Sequence, residues 1–374
     1  MKIGIVCYPT FGGSGVVATE LGKALAMEGH QVHFITYSQP VRLDFFSENL
    51  FYHEVSVSDY PLFDYQPYEL VLSSKLVDVA KHENLDLLHV HYAIPHASAA
   101  YMAKQILASQ GIKIPYITTL HGTDITLVGK DASFEPVITF AINESDAVTS
   151  VSESLKQDTY KYFNVKRDIE VIPNFVDIDL YSKAKNALSK FSYNTGDKKV
   201  LLHISNFRPV KRVEDVVRIF EKIRKEIPVK LLLVGDGPER SKIEAMCREI
   251  GSCEDIQFLG KMKATEQALA MADLFVLPSE TESFGLSALE AMAASVPVIS
   301  TNTGGLPEVN IHGVSGYLSN VGDVDDMAKN AISILKDKKT HDTFRKNALK
   351  RAKEFELSKI LPLYENLYER VINK

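Results

Sequence analysis

The chain has no apolar run long enough to cross a lipid bilayer. A spanning helix needs about 20 consecutive apolar residues, and no apolar stretch in the 374 residues approaches that length. Residues 1–6 lead directly into a strand pattern, without the basic, apolar and small-residue segments of a secretory signal. We therefore expect a cytoplasmic protein that does not span a membrane.

Cysteine and positive charge are also scarce. The three cysteines are an odd number and form no Cys-x-x-Cys pair, which favours a reducing compartment. Lys and Arg total 42 against 48 Asp and Glu, so the formal net charge is −6. This balance gives no electrostatic reason to bind nucleic acid or an anionic membrane. Small-molecule substrates are the expected partners, and both a monomer and a homo-oligomer stay open.

What the chain does contain is two successive series of alternating strand and helix patterns. Short apolar runs typical of buried parallel strands alternate with helical periodicity over residues 3–172, and again from residue 200. Such alternation predicts an α/β fold with helices on both faces of parallel sheets. We expect two Rossmann-like domains, residues 1–170 and 171–356, with helix 357–374 packing back on the first.

Loops at the carboxyl ends of the strands are the expected functional edge of such domains. Open α/β sheets bind ligands at this edge, so two doubly wound domains facing each other would enclose a deep cleft. Between the two series, residues 181–198 are rich in Lys, Asn and Ser and have no periodicity. That segment predicts a loop or a poorly packed hinge.

A glycine loop follows the first predicted strand. Gly13-x-Gly15-x-x-Ala18 formally matches the dinucleotide-binding fingerprint. That fingerprint requires an acidic residue at the end of the second strand, where this chain has Thr36-Tyr37-Ser38. Nicotinamide binding is therefore disfavoured. A phosphate or an acceptor carboxylate near the amides of this loop is the preferred interpretation.

Histidines cluster near the ends of two later strands. A zinc site built from His89, His91, His96 and His121 is conceivable, but the chain has no His-Glu-x-x-His or similar local grouping. His121 directly follows the predicted strand 115–120, so it can donate a hydrogen bond to a substrate hydroxyl. The alternative is a histidine whose hydrogen bonds are satisfied within its own turn.

Two glutamates flank a predicted helix start in the second series. The strand pattern 274–277 ends at Pro278, and a helix is expected to begin near Ser287. Gly285 lets the backbone approach a ligand, and free amides at a helix start favour an anion such as phosphate. Glu282, and Glu290 in the expected first turn, would repel that anion and therefore suit sugar and ribose hydroxyls. The alternative is a capped surface helix with ordinary acidic residues.

Basic residues open the second series. Arg208 and Lys211 lie just before a predicted helix, where cations are unfavourable unless an anion is nearby. Both can neutralise a diphosphate leaving group. The alternative is a solvated basic turn.

These motifs resemble those of the retaining glycosyltransferases of family 4, which have the GT-B fold. In the C-terminal half the resemblance lies in residues 235–238, 278–293 and 303–308. In the N-terminal half, residues 7–15, 89–96 and 118–126 are similar to a bacillithiol-synthesis subgroup of that family. The resemblance implies transfer of N-acetylglucosamine from UDP-N-acetylglucosamine to the hydroxyl of L-malate, with no metal or other cofactor.

The resemblance also assigns site residues. The implied catalytic residues are His121, Arg208, Lys211 and Glu282. The implied donor-binding residues are Gly13, Asn206, Lys261, Met262, Ser283, Phe284, Gly285, Leu286 and Glu290. The implied acceptor-binding residues are Ser14, Gly15, Tyr92 and Thr119. Where many members have Gly-Arg, this chain has Ser205-Asn206, so either Arg208 or Asn206 takes the place of that arginine.

The expected mechanism is a front-face substitution without a covalent intermediate. Retaining glycoside hydrolases use a nucleophilic carboxylate, but the two glutamates are better suited to hydroxyls, and Asp124 is the one acid in the N-terminal motifs. Three other functions stay open. One is a UDP-N-acetylglucosamine 2-epimerase of the same fold, one is a non-catalytic nucleotide-sugar sensor, and one is a family 4 transferase with another acceptor.

Overall fold

The computed structural model describes residues 1–44, 47–57, 66–127, 131–188 and 196–374. The chain divides into two compact units. The first comprises Met1–Asn174 together with Ser358–Lys374, and the second comprises Phe175–Leu357. Each unit is built on its own parallel sheet, which confirms the predicted α/β fold.

Within the described residues, seven strands form the sheet of the first unit, in the order β3-β2-β1-β4-β5-β6-β7. The strands are β1 (Lys2–Val6), β2 (Gln31–Thr36), β3 (Leu50–Glu54), β4 (Leu87–His91), β5 (Tyr116–Leu120), β6 (Ala147–Ser150) and β7 (Ile169–Val171). The helices are α1 (Gly13–Met27), α2 (Tyr68–Glu83), α3 (Ser98–Ser109), α4 (Glu135–Glu144) and α5 (Glu153–Tyr162). The strand order reverses between β1 and β4, which places a ligand crevice at their carboxyl ends.

Six parallel strands form the sheet of the second unit within the described residues, in the order β10-β9-β8-β11-β12-β13. They are β8 (Lys199–Ile204), β9 (Val229–Val234), β10 (Ile256–Gly260), β11 (Leu274–Leu277), β12 (Val298–Thr301) and β13 (Gly316–Ser319). The helices are α6 (Ile178–Leu188), α7 (Val213–Arg224), α8 (Arg240–Glu249), α9 (Thr265–Met271), α10 (Leu286–Ala293), α11 (Leu306–Val309), α12 (Val324–Lys336) and α13 (Lys338–Ala352).

Helix α7 shows how the apolar pattern sets the packing. Val213, Val216, Val217, Phe220 and Ile223 recur at helical spacing, and all five are buried in the core of the second unit. Complete burial of a side chain such as Phe220 contributes about 1.5–3 kcal/mol to stability. The opposite face carries charged residues, so the helix has one way to lie on the sheet.

The last helix, α14 (Leu357–Ile372), supplies core side chains to the first unit. Tyr364 and Tyr368 are fully buried. The hydroxyl of Tyr368 lies 2.7 Å from Nδ1 of His89 in β4. These contacts attach the end of the chain to the first sheet. No helix in the described part of the chain combines the length and apolarity needed to cross a membrane.

The prediction of a loop over residues 181–198 is wrong for its first part. Helix α6 extends to Leu188, whereas residues 189–195 lie outside the described ones. Ile178 and Tyr181 are buried and α6 packs against α9, so two anchoring side chains stabilise a helix that has little periodicity. Its start is capped by Asp177, whose Oδ1 accepts a hydrogen bond from the amide of Asp179 at 2.9 Å.

Candidate active site

Helix α10 and the loop before it form the first part of the site. Gly285 is the N-terminal cap of α10 and has φ +95°, a left-handed conformation that favours glycine. Amides at the start of a helix are oriented to bind an anion. Phe284 is buried against Phe355, with ring centroids 5.7 Å apart, so its side chain is part of the core and its backbone is what it can offer a ligand.

The positions of the two glutamates differ from one prediction. No acidic residue lies in the first turn of α10, because the helix begins at Leu286 and Glu290 falls in the second turn. The expectation that Glu290 lies in the first turn is therefore wrong. Glu290 is 7% exposed. Ser283 and Leu286, on either side of the cap, are partly exposed.

Lys211 and Glu282 are brought together in an ion pair. Nζ of Lys211 lies 2.5 Å from Oε1 of Glu282, and the hydroxyl of Ser279 donates to the same oxygen at 3.0 Å. Their side chains are 21% and 12% exposed. The sequence analysis assigned Lys211 to the diphosphate and Glu282 to the sugar, whereas the structure joins the two side chains in one ion pair. A charge-assisted hydrogen bond of this kind orients the carboxylate.

A glycine turn holds the backbone of Glu282. The amide of Gly305 donates to the carbonyl oxygen of Glu282 at 2.9 Å. Gly304 has φ +55°, and a Cβ atom there would lie 1.9 Å from that same oxygen. Gly304 and Gly305 therefore fit against the loop of Glu282 only because they lack side chains.

His203 is a residue that the sequence reasoning missed. Its Nδ1 donates to the carbonyl of Val276 at 2.8 Å, so Nε2 accepts from the hydroxyl of Ser205, also at 2.8 Å. Burial lowers the pKa of His203 to about 4, which keeps the ring neutral. Ser205 also accepts from the amide of Phe207 at 3.3 Å. His203 therefore positions the loop that carries Asn206 and Arg208. A histidine inside an apolar strand run gives no sequence signal of this role.

Apart from Gly13, the other residues predicted to contact the donor lie on neighbouring loops of the second unit. Asn206 and Arg208 are exposed after β8, while Lys261 is exposed and Met262 partly exposed after β10. Both loops follow strands of one parallel sheet, so they lie at the same edge. A Cβ at Gly235, after β9, would lie 1.7 Å from the carbonyl oxygen of Ser205. Because Gly235 has no side chain, the loop after β9 can pack closely against the loop after β8.

In the first unit, two predicted acceptor residues meet. The hydroxyls of Ser14 and Tyr92 lie 2.8 Å apart. Gly13 is exposed as the first residue of α1, while Ser14 and Gly15 are buried in the same turn. Tyr92 has φ +87°, which is strained for a tyrosine, and its amide donates to the carbonyl of Thr119 at 2.9 Å. The strained backbone places the tyrosine ring beside α1.

Thr119 is not open to a ligand. Its side chain is 0% exposed. The hydroxyl oxygen lies 2.7 Å from Nε2 of His89 and 2.6 Å from the hydroxyl of Thr149. These bonds belong to the interior of the sheet. The candidate acceptor group is therefore Ser14, Gly15 and Tyr92, without Thr119.

His121 is hydrogen-bonded to a buried cluster of histidines. Its Nε2 lies 2.7 Å from Nδ1 of His91, and Nδ1 of His96 donates to the carbonyl of His91. Burial lowers the pKa of His91 well below 6.5 and that of His121 to about 3, so both rings are neutral at pH 7. Nε2 of His91 is buried without a partner among the described residues. A buried N–H without an acceptor costs more free energy than a buried lone pair without a donor. We therefore place the His91 proton on Nδ1. His121 then accepts at Nε2 and donates from Nδ1.

Asp124 has a structural role next to His121. Its Oδ1 accepts from the amide of Gly122 at 3.0 Å, and its Oδ2 accepts from the amide of Ala93 at 2.9 Å. The carboxyl is 2% exposed, and burial raises its pKa to about 6 despite these backbone bonds. Asp124 therefore ties the turn after β5 to the turn after β4, and both of its oxygens are engaged.

Both halves of the chain match known protein families. Residues 11–180 match the model described as Glycosyltransferase Family 4, and residues 185–351 match the model described as Glycosyl transferases group 1. An N-acetyl-alpha-D-glucosaminyl L-malate synthase of Bacillus anthracis is 49% identical over 374 residues, covering 100% of this chain and 97% of the relative. The chain belongs to the family 4 glycosyltransferases. The predicted family resemblance is confirmed.

Solved structures support the fold of this glycosyltransferase. A sucrose-phosphate synthase from Thermosynechococcus elongatus has a TM-score of 0.81 at 21% identity, covering 100% of this chain and 99% of that one. Anabaena HepE in complex with UDP and glucose has a TM-score of 0.79 at 20% identity, covering 99% of each chain. The glycosyltransferase therefore has the GT-B fold.

Proposed function

We propose that this glycosyltransferase is a hexosyltransferase that moves N-acetylglucosamine from UDP-N-acetylglucosamine to the hydroxyl of L-malate. The products are N-acetylglucosaminyl malate and UDP, and the reaction is the first step of bacillithiol synthesis. The observation that carries this proposal is the 49% identity to the Bacillus anthracis synthase over the whole chain. The residues of the candidate site are chemically suited to the two substrates.

The second unit supplies the donor-binding groups. The start of α10 offers amides to a phosphate, and Lys211 adds a positive charge. Glu282, fixed by Lys211 and Ser279, accepts hydrogen bonds from the hydroxyls of the transferred sugar. Glu290 binds the ribose, and Arg208 assists Lys211 at the diphosphate. The Lys211–Glu282 pair therefore couples charge neutralisation of the leaving group to the orientation of the sugar.

The first unit supplies the acceptor-binding groups. Malate is a dianion, and the exposed N-terminus of α1 favours one of its carboxylates, so we propose that Gly13, which the resemblance assigned to the donor, contacts the acceptor. The paired hydroxyls of Ser14 and Tyr92 can bond the same substrate. His121 is neutral, so it acts as a hydrogen-bond donor to the sugar and not as a cation.

We further propose that the sugar is transferred with retention and without a covalent intermediate. A nucleophilic carboxylate needs a free oxygen at the anomeric carbon. Asp124 has both oxygens bonded to backbone amides, and Oε1 of Glu282 accepts from both Lys211 and Ser279, which commits this carboxylate to binding. The acceptor hydroxyl therefore attacks from the face that the diphosphate leaves, and the leaving phosphate oxygen takes its proton.

The proposed reaction needs no metal ion or other cofactor, because Lys211 and Arg208 supply the positive charge at the diphosphate. We place it in the cytoplasm, in keeping with three free cysteines. Transfer should continue when EDTA is added to the assay. Complete loss of UDP release in EDTA, with recovery on adding Mg²⁺, would contradict the metal-independent mechanism.

The decisive experiment is release of UDP from UDP-N-acetylglucosamine across a panel of hydroxy acids and sugars. We expect release that depends on L-malate and a product with the α-anomeric configuration by NMR. Formation of UDP-N-acetylmannosamine without any acceptor would indicate a 2-epimerase. Binding of the donor without UDP release under any condition would indicate a sensor, and preference for a sugar would indicate a different acceptor.

A further inference from the structure

Three potential metal ligands converge in the first unit outside the candidate active site. They are His33 in β2, His53 in β3 and Glu83 at the end of α2. Each offers one ligand atom, and the three atoms all lie within 4.8 Å of one another. The carbonyl of Glu83 accepts from Nζ of Lys2, the first residue of β1, at 2.9 Å. Glu83 therefore lies near the amino end of β1, whereas Ser14 and Tyr92 follow the carboxyl ends of β1 and β4.

The fold fixes the spacing of the two imidazoles. Strands β2 and β3 are parallel, with Phe51 opposite His33 and His53 opposite Ile35. His33 and His53 are thus diagonal neighbours on one face, and Nδ1 of His33 lies 3.0 Å from Nε2 of His53. Two nitrogens on a tetrahedral Zn²⁺, with Zn–N bonds of about 2.0–2.1 Å, lie about 3.3–3.4 Å apart. A small movement of one ring would therefore accommodate the ion.

His33 is 1% exposed, and its Nδ1 faces Nε2 of His53 at 3.0 Å. In an imidazole pair one ring must donate and the other accept, whereas a metal ion takes a lone pair from each ring.

The charges around His33, His53 and Glu83 are together favourable for a cation. Glu83 is the last residue of α2, whose C-terminus carries partial negative charge. Asp78 on the same helix adds negative charge, while Lys2 and Lys75 oppose a cation. His53 and Glu83 are partly exposed, which gives an ion access from solvent.

We propose that His33, His53 and Glu83 bind one divalent transition-metal ion of the Zn²⁺ class, with water as the fourth ligand. The ion ties the edge strand β3 to β2 and to the end of α2. Its role is structural and independent of sugar transfer. Two imidazoles and a carboxylate suit Zn²⁺ better than the oxygen-seeking Mg²⁺ or Ca²⁺.

The test is titration of the chelator-treated, tag-free protein with Zn²⁺ by calorimetry, and with Co²⁺ by visible absorption. We expect one tight equivalent, an intense tetrahedral Co²⁺ spectrum and a higher thermal unfolding midpoint with Zn²⁺. Loss of an outer-shell partner costs about 10- to 100-fold in metal affinity, so loss of a ligand should cost about 100-fold or more. His53→Gln and Glu83→Gln should therefore abolish the tight equivalent and the Zn²⁺-induced stabilisation.

The matched control is His82→Gln, which removes a histidine next to Glu83 that is not in the cluster. This variant should bind Zn²⁺ like the wild type. Circular dichroism and UDP release show that each variant is folded, whatever its metal affinity. Wild-type affinity in both His53→Gln and Glu83→Gln, or no tight equivalent in the wild type, would overturn the proposal.

Discussion

At the scale of single residues, the pairing of Lys211 with Glu282 is the contact on which donor chemistry depends most. The two residues are 71 positions apart, and their charged atoms are 2.5 Å apart. Lys211 therefore has two effects, since it supplies charge to the leaving group and fixes the carboxylate that binds the sugar. Removing it should affect both orientation and transition-state stabilisation.

The first residue-scale prediction concerns Lys211→Ala. Electrostatic stabilisation of developing charge contributes on the order of 10²–10³ in turnover per group. We therefore expect kcat for UDP release to fall by on the order of 10²-fold or more, measured at saturating donor and acceptor. Lys222→Ala is the control, because Lys222 pairs with Asp325 on the surface of the same unit. Normal turnover in a folded Lys211→Ala variant would remove Lys211 from the mechanism.

Residue roles could be predicted from sequence where a local motif carries them. A local motif predicted Glu282 and Lys211, and the family resemblance predicted Ser14 and Tyr92. The structure brings together the first two and the last two, while their roles stay predictions. The positioning role of His203 could not be found, because its partners Val276 and Ser205 are known only once β8 and β11 are adjacent. The hydrogen bonds of buried polar residues depend on long-range contacts that have no periodicity.

At the scale of elements, the turn between β12 and α11 is as important as the helix that it supports. Gly304 faces the backbone of Glu282, where a Cβ would lie 1.9 Å from the carbonyl oxygen. Gly313 also has positive φ, at +74°, but a Cβ there would have nothing within 4 Å. Substitutions at the two glycines therefore separate the effect of a steric clash with Glu282 from the effect of a strained left-handed backbone.

The element-scale prediction compares Gly304→Ala with Gly313→Ala. Both variants should lose about 1–2 kcal/mol of stability from the left-handed backbone. Only Gly304→Ala should also displace Glu282, so its kcat/KM should fall at least about 10-fold while that of Gly313→Ala stays near wild type. Chemical denaturation and UDP-release kinetics measure the two effects. Equal kinetics in the two variants would show that the glycine turn does not position Glu282.

The order of elements was largely predictable because buried parallel strands are short apolar runs. The structure has strands at every run that was assigned as one in the second series, from β8 to β12. Strand β13 was missed, since Gly316–Ser319 contains two small polar or flexible residues and is weakly apolar. Helix α6 was missed because Ile178 and Tyr181 stabilise it through tertiary contacts.

At the scale of the whole molecule, buried neutral histidines make the free energy of unfolding depend on pH. Burial lowers the pKa of His89 and His121 to about 3 and that of His96 and His203 to about 4, against an ordinary value of 6.5. These residues occur in both units. When pH falls below 6.5, the unfolded chain takes up protons that the folded chain refuses, so stability is lost as pH falls towards the folded values. Asp124 acts in the opposite direction, because its pKa is raised.

The histidines outnumber Asp124, so we expect the unfolding free energy to fall between pH 6.5 and pH 4. A single histidine with a folded pKa near 4 contributes a loss of about 2 kcal/mol at pH 5. Denaturant titrations at a series of pH values measure this slope for each unfolding transition. A free energy that rises on acidification through this window would contradict the neutral state of the buried histidines.

His203→Gln isolates one histidine from this sum. The variant should be less stable than the wild type at pH 7, because one ring that bonded both Val276 and Ser205 is replaced by a more flexible side chain. Its stability should nevertheless depend less on pH, with a slope smaller by up to about 1.4 kcal/mol per pH unit between pH 4 and pH 6.5. His82→Gln, at an exposed position, serves as the control for replacing a histidine by glutamine. An unchanged slope in His203→Gln would mean that His203 takes up its proton equally in the folded and unfolded chain, and would contradict the lowered pKa of this histidine.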